Sequence, residues 1–536
     1  GCRTGAHGMT AAAAHPDEDF AHRAGDSHKY LIAFAVVLAS LLQVIDSSIV
    51  NVALPDMMGN LGASLDEIAW VTTGYILANV TIIPMTGWLG GVFGRKRYFV
   101  GSVVLFTAAS FMCGAARSLA TLIVWRVIQG IGGGALMTVS QAVLLEAFPP
   151  EEAGMAMALF GMGVMVGPTI GPTLGGWITD NYNWPWIFYI NVPLGALAAF
   201  MIAAYVHDSE HQKKPATIDY QGIALLLLTV VPLQYVLEHG QREDWFDSRL
   251  IVGLSVTSVA AAVGLVWREL TTDHPIIDFR VLRHRQMWVG TVLGVVLGVG
   301  LFAATFTIPV FLQGNLRMTA EQTGLVLLPG ALATALSMAV VGKATRAYDA
   351  RLLITIGAAL FAWAMWDLAH VTGESGAGDF LWPLVARGVG LGLMFVPLTT
   401  LTLADLARAE LPQATGLFNF FRQLGGSLGI AAVATIVTHD TAAVRAALVT
   451  HVTTTDAGTA GRLAMLTHAF VARGADPLTA HARALKALDL QVTGQASVIA
   501  FGHTYILAGL LIAAIVPLLV LVRNAGTPAG GDILLE

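Results

Sequence analysis

Long apolar runs separated by short polar stretches repeat along the whole chain. A helix that crosses a bilayer needs about 20 mostly apolar residues, because hydrocarbon offers no partner to an unpaired backbone group. Fourteen segments meet that requirement, at 30–54, 68–90, 98–116, 119–142, 153–178, 186–206, 219–238, 249–267, 287–313, 321–343, 352–370, 380–403, 415–438 and 499–522. The pattern predicts an all-α polytopic membrane protein with fourteen transmembrane helices. Its one sizeable polar segment is 439–497. There Asp456 and the pair Asp476-Pro477 read as helix starts and Gly474 as a helix stop. Leu478, Leu485, Leu488 and Val492 give the second of these helices a heptad-like apolar stripe.

Composition agrees and narrows the class. Of 536 residues 55% are hydrophobic and 12% are charged, half the charge of a usual soluble domain, about 25%. Three or four soluble domains of this length would lack the polar surface to stay in water. The 57 glycines suit close-packed membrane helices. A net charge of −6 leaves no basic domain for nucleic acid. The two cysteines, Cys2 and Cys113, sit in the N-terminal segment and in an apolar run, so they make neither a disulfide framework nor a metal site. Fifteen histidines include no His-x3–5-His pair with a carboxylate inside a span, no Ser/His/Asp grouping stands out, and no Gly-x4-Gly-Lys-Ser/Thr run is present. No cofactor, metal or enzymatic chemistry is expected.

Positive residues orient the spans. With the N-terminus inside, the inner segments carry 17 Lys and Arg, among them Arg3, Arg23, Lys29, Arg95, Lys96, Arg97, Lys213, Lys214, Arg346 and Arg523. The short outer loops carry 4: Arg117, Arg242, Arg249 and Arg317. That asymmetry places both termini in the cytoplasm. The first span is too long for a signal-peptide core and lacks a cleavage site, so it is expected to remain. Trp184 and Trp186, at the outer start of span 6, read as interfacial anchors. Arg126, Arg387 and Arg422 fall inside spans, where a charge costs about 2.5–3.5 kcal/mol on insertion scales.

An internal repeat organises the fourteen. The loop from Gly87 to Arg97 joins spans 2 and 3, and Gly342 to Arg351 joins spans 10 and 11 on the same side. Gly133-Gly-Ala-Leu-Met137 in span 4 is echoed by Gly390-Leu-Gly-Leu-Met394 in span 12. Two parallel six-span halves with spans 7 and 8 inserted account for both offsets, and in such transporters the substrate site lies between the halves. The expected division is a cytoplasmic tail at 1–29, a first six-helix bundle at 30–206, two inserted helices with their linkers at 207–286, a second bundle at 287–522 that includes the helical hairpin 439–497, and a cytoplasmic tail at 523–536.

Span 5 carries Gly163, Gly167, Gly171 and Gly175 at intervals of four, with Pro168 and Pro172 among them. Four glycines on one face admit very close helix contact, and the prolines remove helix hydrogen bonds. A static packing seam and a hinge on which the halves rock both fit. With Gly176, this pattern resembles the antiporter motif of the major facilitator superfamily. The run Gly87–Arg97 resembles that superfamily's signature loop, and Leu122–Gly130, with Arg126 and Gln129, its span-4 motif. Ile45-Asp46-Ser-Ser-Ile-Val-Asn51-Val-Ala-Leu-Pro55 resembles the span-1 motif of its fourteen-span drug:proton antiporters. Asn181–Pro193 and Pro397–Thr400 extend the resemblance to the EmrB-type multidrug efflux pumps, over roughly residues 30 to 523.

The resemblance implies proton-coupled export of amphipathic drugs or toxic compounds across the bacterial inner membrane by alternating access. It also implies a periplasmic membrane-fusion adaptor of EmrA type and an outer-membrane channel of TolC type as partners. A proton-coupled importer of a small nutrient is the alternative on the same fold, and the span-5 pattern argues against it. One departure stands out: Gly91 and Val92 occupy positions where the signature loop has an acidic and a basic residue. That puts a charged inner-gate latch in the first half in doubt and leaves Arg95 and Lys96 either as gate residues or as topology signals. Gly87, Gly94, Arg95, Asp349 and Arg351 are the candidate gate-loop residues.

Asp46 carries most weight. It lies about 16 residues into span 1, roughly 24 Å from the inner surface, and Arg126 enters span 4 about 7 residues, or 11 Å, from the outer surface. In a hydrocarbon core of about 30 Å the two fall within a few ångströms in depth. Gln43, Asp46 and Ser47 share one helix face, as do Arg126, Gln129 and Gly130. Two readings stand: a proton carrier whose charge changes as the halves move, or a permanent structural ion pair. Asn419, Arg422, Gln423 and Gly426 share a face of span 13, and Arg422 either reaches the inner headgroups or faces the cavity between the halves. Gln43, Ser47, Gln129, Asn419, Arg422 and Gln423 are the candidate cavity residues. Glu238 and Asp367, at the outer ends of spans 7 and 11, read as surface groups. For 439–497, a hairpin folded back on the outer surface and an adaptor-docking element are both open.

Overall fold

A computed structural model describes residues 26–208, 218–273, 275–345, 347–453 and 456–521. Cys2, Arg3, Arg23, Lys213, Lys214, Arg346 and Arg523 lie outside the described residues. Fourteen helices among the described residues are long and apolar enough to cross a membrane. They are α1 (Asp26–Leu61), α2 (Leu65–Ile82), α3 (Arg95–Gly114), α4 (Leu119–Ala147), α5 (Ala153–Asn181), α6 (Asn191–Tyr205, which completes the span Trp186–Tyr205) and α7 (Tyr220–His239). The series continues with α8 (Arg249–Thr271), α9 (Arg285–Gly314), α10 (Ala320–Ala344), α11 (Ala350–Leu368), α12 (Leu381–Leu403), α13 (Leu411–Val449) and α14 (Pro477–Ala513). No strand occurs among the described residues.

Helix starts follow local chemistry. Ser64, Ser118 and Thr319 each close a capping box at the N-terminus of α2, α4 and α10. Asp219 and Asp349 accept backbone N–H bonds at the starts of α7 and α11. Pro84, which has no N–H to donate, lies in the 3-10 turn Ile83–Met85 that ends α2. The predicted span 68–90 is therefore completed by a separate helix, Thr86–Phe93. Gly94 follows at φ 85°, a conformation that L side chains rarely adopt. It lets α3 begin at Arg95, and the Lys96 N–H donates to Asp208 at 2.9 Å.

Helices α1–α6 pack among themselves, as do α9–α14. The two bundles meet chiefly where α5 packs on α10, with further contacts of α4 on α13 and α5 on α12. The inserted pair α7 and α8 pack on each other, and α7 also touches α2 of one bundle and α13 of the other. The end of the molecule where α1 begins is called the near face below, and the opposite end the far face.

At the far face α13 and α14 extend well past the expected 415–438 and 499–522. The alanine-rich stretches beyond the apolar runs keep a high helix propensity, with no Gly or Pro between 430 and 449 to stop α13. Between them the helix Ala457–Ala472 is capped by Asp456, and Gly474 at φ 90° ends the turn before the Asp476-Pro477 start of α14. The extensions are joined by the Arg445–Asp489 ion pair and by His503 Nδ1 to Asp440 at 2.7 Å. Ala457–Ala472 packs against α14 and buries none of its own residues. The packed face of α14 is Ala480 and Ala484, and Leu478 and Leu485 of the predicted stripe stay 85% and 46% exposed. One anchor expectation is also corrected: Trp186 is exposed, but Trp184 is buried edge-on against Phe188.

Candidate functional site

Asp46 and Arg126 meet, as their depths predict. Arg126 Nη1 donates to Asp46 Oδ2 at 2.6 Å, and neither side chain has any exposed surface. The carboxylate's other oxygen accepts from Gln129 Nε2 and from Asn191 Nδ2, each at 2.8 Å. Arg126 Nη1 is shared with Gln129 Oε1 at 2.7 Å, and Nε donates to the Val71 carbonyl at 3.0 Å. The Tyr75 ring lies 4.2 Å from the guanidinium carbon, a cation–π contact in a dry setting. Asn191 also donates to Ser110 Oγ at 3.1 Å, tying α6 and α3 to the pair. Helices α1, α4 and α6 thus meet at one carboxylate, with α2 and α3 in the shell around it. Any motion that separates α1 from α4 would leave this buried carboxylate without its counter-charge.

Asn191 and Tyr75 are functional neighbours that periodicity does not reveal. Asn191 lies within the Asn181–Pro193 stretch, but nothing in its spacing points at Asp46. Tyr75 is one apolar-looking aromatic among many.

A second polar cluster lies between the bundles. Gln43 of α1 accepts from the Met137 N–H of α4 at 3.1 Å and donates to Asn79 of α2 at 3.5 Å. Across the interface between the bundles Asn419 of α13 donates to Gln141 of α4 at 2.5 Å. Arg422 is 2% exposed and lies over the Phe395 ring, 5.6 Å from its centroid. Its Nη2 donates to Asn419 Oδ1 at 3.0 Å and meets Met137 Sδ at 3.5 Å. It therefore faces the other bundle and not the headgroups, and among the described residues no carboxylate pairs with it. Of the expected cavity set, Gln43, Asn419 and Arg422 gather here, whereas Gln129 belongs to the Asp46 network. Ser47 is half-buried and donates to the Val44 carbonyl of its own helix at 2.9 Å, and Gln423 is half-buried on α13. In α12, Arg387 has its Nε and Nη1 enclosed, with no hydrogen-bond partner among the described residues.

The glycine stripe of α5 packs within its own half. A methyl group at Gly167 would lie 2.6 Å from Val44 Cγ1, and one at Gly175 2.8 Å from Ile49 Cγ1, both on α1. Gly163 meets Val37 and Gly171 meets Ser48, also on α1. The seam expected between the halves is thus an α1–α5 seam, flanked by Pro168 and Pro172 inside a continuous α5. The surface that α5 turns to the other half is built from Gly154 against Gly342 and Thr345, Gly161 against Met338, and Thr173 against Gly324.

At the near face Gly87 is pressed on Gln413 of α13, where a methyl group would lie 3.0 Å from its backbone. Arg95 is buried in an ion pair with Glu146 at the end of α4, so it is more than a topology signal. Asp349 is engaged as the cap of α11, accepting from the Arg351 N–H at 2.8 Å.

The family model described as Major Facilitator Superfamily matches residues 36–430. The chain is 38% identical over 411 residues to the multidrug export protein EmrB of Escherichia coli (strain K12), covering 76% of this chain and 80% of that protein. It is 31% identical over 502 residues to the fatty acid resistance protein FarB of Neisseria gonorrhoeae, covering 93% and 97%. Among solved structures it resembles the human organic anion transporter MFSD10 (TM-score 0.58, 13% identity, 90% of this chain and 99% of that one). It also resembles the proton:xylose symporter XylE (TM-score 0.57, 14% identity, 93% and 99%). At those identities the likeness is one of fold. The chain is a multi-pass membrane transporter of the major facilitator superfamily and belongs with its fourteen-span, EmrB-type multidrug export proteins.

Proposed function

We propose that this protein exports amphipathic compounds across the bacterial inner membrane in exchange for protons, by rocking of its two six-helix bundles. The observation that carries the coupling is Asp46, a carboxylate with no exposed surface held by Arg126, Gln129 and Asn191. A proton delivered to it discharges the ion pair, and its departure restores the pair. Substrate export and proton entry are then linked through whichever conformation separates α1 from α4. One charge crossing 100 mV supplies about 2.3 kcal/mol, and a pH gradient adds to it.

The excess of positive residues at the near face supports a cytoplasmic assignment for that face and for both termini. With Gly87 against Gln413 and Gly154 against Gly342, this conformation is then closed toward the cytoplasm. The α5 glycine seam with α1 lets the first bundle flex as it rocks. Arg422 gives the interface between the bundles a buried positive charge with no carboxylate partner among the described residues, which favours substrates with an acidic head and an apolar body. The likeness to a fatty acid resistance protein over 93% of the chain supports the same class. The helices of 439–497, with Leu478, Leu485 and Leu490 exposed at the far face, offer a periplasmic adaptor its contact surface.

Everted vesicles acidified by respiration test the central reading. Adding an exported compound should discharge the pH gradient with the wild-type protein and leave it intact with Asp46→Asn. Normal exchange by Asp46→Asn would remove Asp46 as the carrier. Deleting 439–497 should abolish adaptor co-purification while the pump stays folded, and unchanged co-purification would refute the docking surface.

A further inference from the structure

Glu238, near the far end of α7, is not the surface group its position suggests. Its Oε1 accepts from Thr73 Oγ1 of α2 at 2.8 Å. Its Oε2 is enclosed and has no hydrogen-bond partner among the described residues. Aromatic rings close round the contact: Tyr235 and His239 of α7 are stacked at 4.4 Å, and Trp70 of α2 lies 6.0 Å from each.

The charged and titratable groups around this pocket are few. The helix α7 itself brings Tyr235 and His239, and α2 brings Asp66. The loop after α7 brings Arg242 and Glu243. The extension of α13 reaches the same region through Thr435, which accepts from Trp245 Nε1 at 3.1 Å. None of the cations pairs with Glu238: Arg242 is largely exposed and comes within ion-pair distance of Asp66, at 4.0 Å. A carboxylate at this place lacks the counter-charge that Asp46 has. A carboxylic acid there needs none, and the partly exposed residue leaves a proton a route to it.

The same stretch of α2 serves both carboxyl groups. Val71 and Tyr75 face Arg126, through the Val71 carbonyl at 3.0 Å and the Tyr75 ring at 4.2 Å. Thr73, between them, points the other way to Glu238. Meanwhile α7 packs on both bundles, on α2, where Glu238 meets Thr73, and on α13, to which the loop after α7 is also tied by Trp245 and Thr435. Relative motion of the bundles must shear one of these contacts. From this geometry we infer that Glu238 is a second proton-binding group of the transport cycle, protonated while α7 is docked on α2 and releasing its proton when the two part. The step is an acid dissociation: the carboxyl O–H bond breaks, the electron pair stays on Glu238, and the proton passes to water.

This inference rests on the proton-exchange reading above, and one experiment separates the two. Full-length protein in weakly buffered detergent is titrated with an exported amphiphile, and released protons are counted with a pH-sensitive dye. Wild-type protein should release twice as many protons as Glu238→Gln, which keeps the shape and the hydrogen bond to Thr73. Asp46→Asn should also release half, and the double variant none. Equal release by wild type and Glu238→Gln would overturn the role of Glu238 and leave Asp46 standing. No release by wild type would instead overturn the exchange reading itself. Should Glu238→Gln fail to fold, Thr73→Val retains the carboxyl and removes its hydrogen bond. It should move the pH midpoint of the second proton without changing the number released, and an unmoved midpoint would count against the proposal.

Discussion

Asp46 of α1 and Arg126 of α4 share a 2.6 Å hydrogen bond with no solvent contact on either side chain. Removing one partner of such a pair leaves the other charge buried alone, which costs about 3–5 kcal/mol, whereas replacing both by apolar groups is often neutral. Arg126→Met is therefore expected to lower the melting temperature in detergent sharply. Asp46→Leu combined with Arg126→Met should recover most of the loss while remaining inactive in transport. A double variant as unstable as the single one would show that the amides of Gln129 and Asn191, not the ion pair, hold this site.

The α1–α5 contact makes a packing prediction. Gly167→Ala puts a methyl group 2.6 Å from Val44 Cγ1, and overpacking of this kind costs about 1–3 kcal/mol. Val44→Ala in the same chain removes the obstructing methyl groups and should restore the melting temperature. If Gly167→Ala melts like wild type but transports slowly, the stripe acts in motion and not in static packing.

Much of this was legible in the sequence, and the reasons are physical. Span positions follow from hydrocarbon thickness, which sets a length that Ala153–Asn181 or Arg285–Gly314 cannot hide. The Asp46–Arg126 contact follows from depth alone, because helices in a bilayer share one vertical coordinate. Rotation about the helix axis is different. The Gly163–Gly175 stripe announces a close contact but not its partner, and α1 and α10 were equally available neighbours. Glu238 lies at a span end, where either the surface or a neighbouring helix is open to it, and only the placement of α7 against α2 decides. Trp184 and Trp186, two residues apart on one turn, face opposite environments for the same reason.

Acid should loosen the far-face helices first. Asp456 is held below the usual aspartate range by the Thr459 N–H and then its hydroxyl, and Asp476 by the Thr479 hydroxyl and then its N–H. A lowered folded-state value means the stabilisation is fully present above the unfolded value, about 3.9. It is lost as pH falls from there through the folded-state values. Hydrogen exchange in Ala457–Ala472 and the first turns of α14, corrected for intrinsic rates, should quicken across that window. Asp456→Asn with Asp476→Asn, which keeps the caps and removes the titration, should flatten the response. A pH profile unchanged by the two substitutions would assign the acid sensitivity elsewhere.

Gly87 and Gln413 offer a lock on the near face. The Gly87 methyl position lies 3.0 Å from the Gln413 Cα, so the two Cα atoms are at most about 4.5 Å apart, around the lower edge of the 4.4–6.8 Å that disulfides span. Gly87→Cys with Gln413→Cys, in a chain also carrying Cys2→Ser and Cys113→Ser, should cross-link on mild oxidation. Transport should stop and return on reduction. Full transport by cross-linked protein would mean that this contact persists through the cycle and is no gate.

Arg422 tests the chemistry of the substrate. Its guanidinium is buried, stacked over Phe395, and donates to Asn419 with no carboxylate pairing among the described residues. An acidic substrate would supply the missing charge, and a neutral one would not. Arg422→Gln should therefore weaken export of an amphiphilic carboxylate far more than export of its methyl ester, by about tenfold or more for each 1.4 kcal/mol of lost charge pairing. Arg422→Lys should retain part of the preference, because it keeps the charge and loses the planar fork and the stacking. Transport of acid and ester can be followed side by side in proteoliposomes with equal lipid loading. Equal losses for acid and ester would make Arg422 a strut between α13 and α4, joined to Met137, and would place charge selection elsewhere between the bundles.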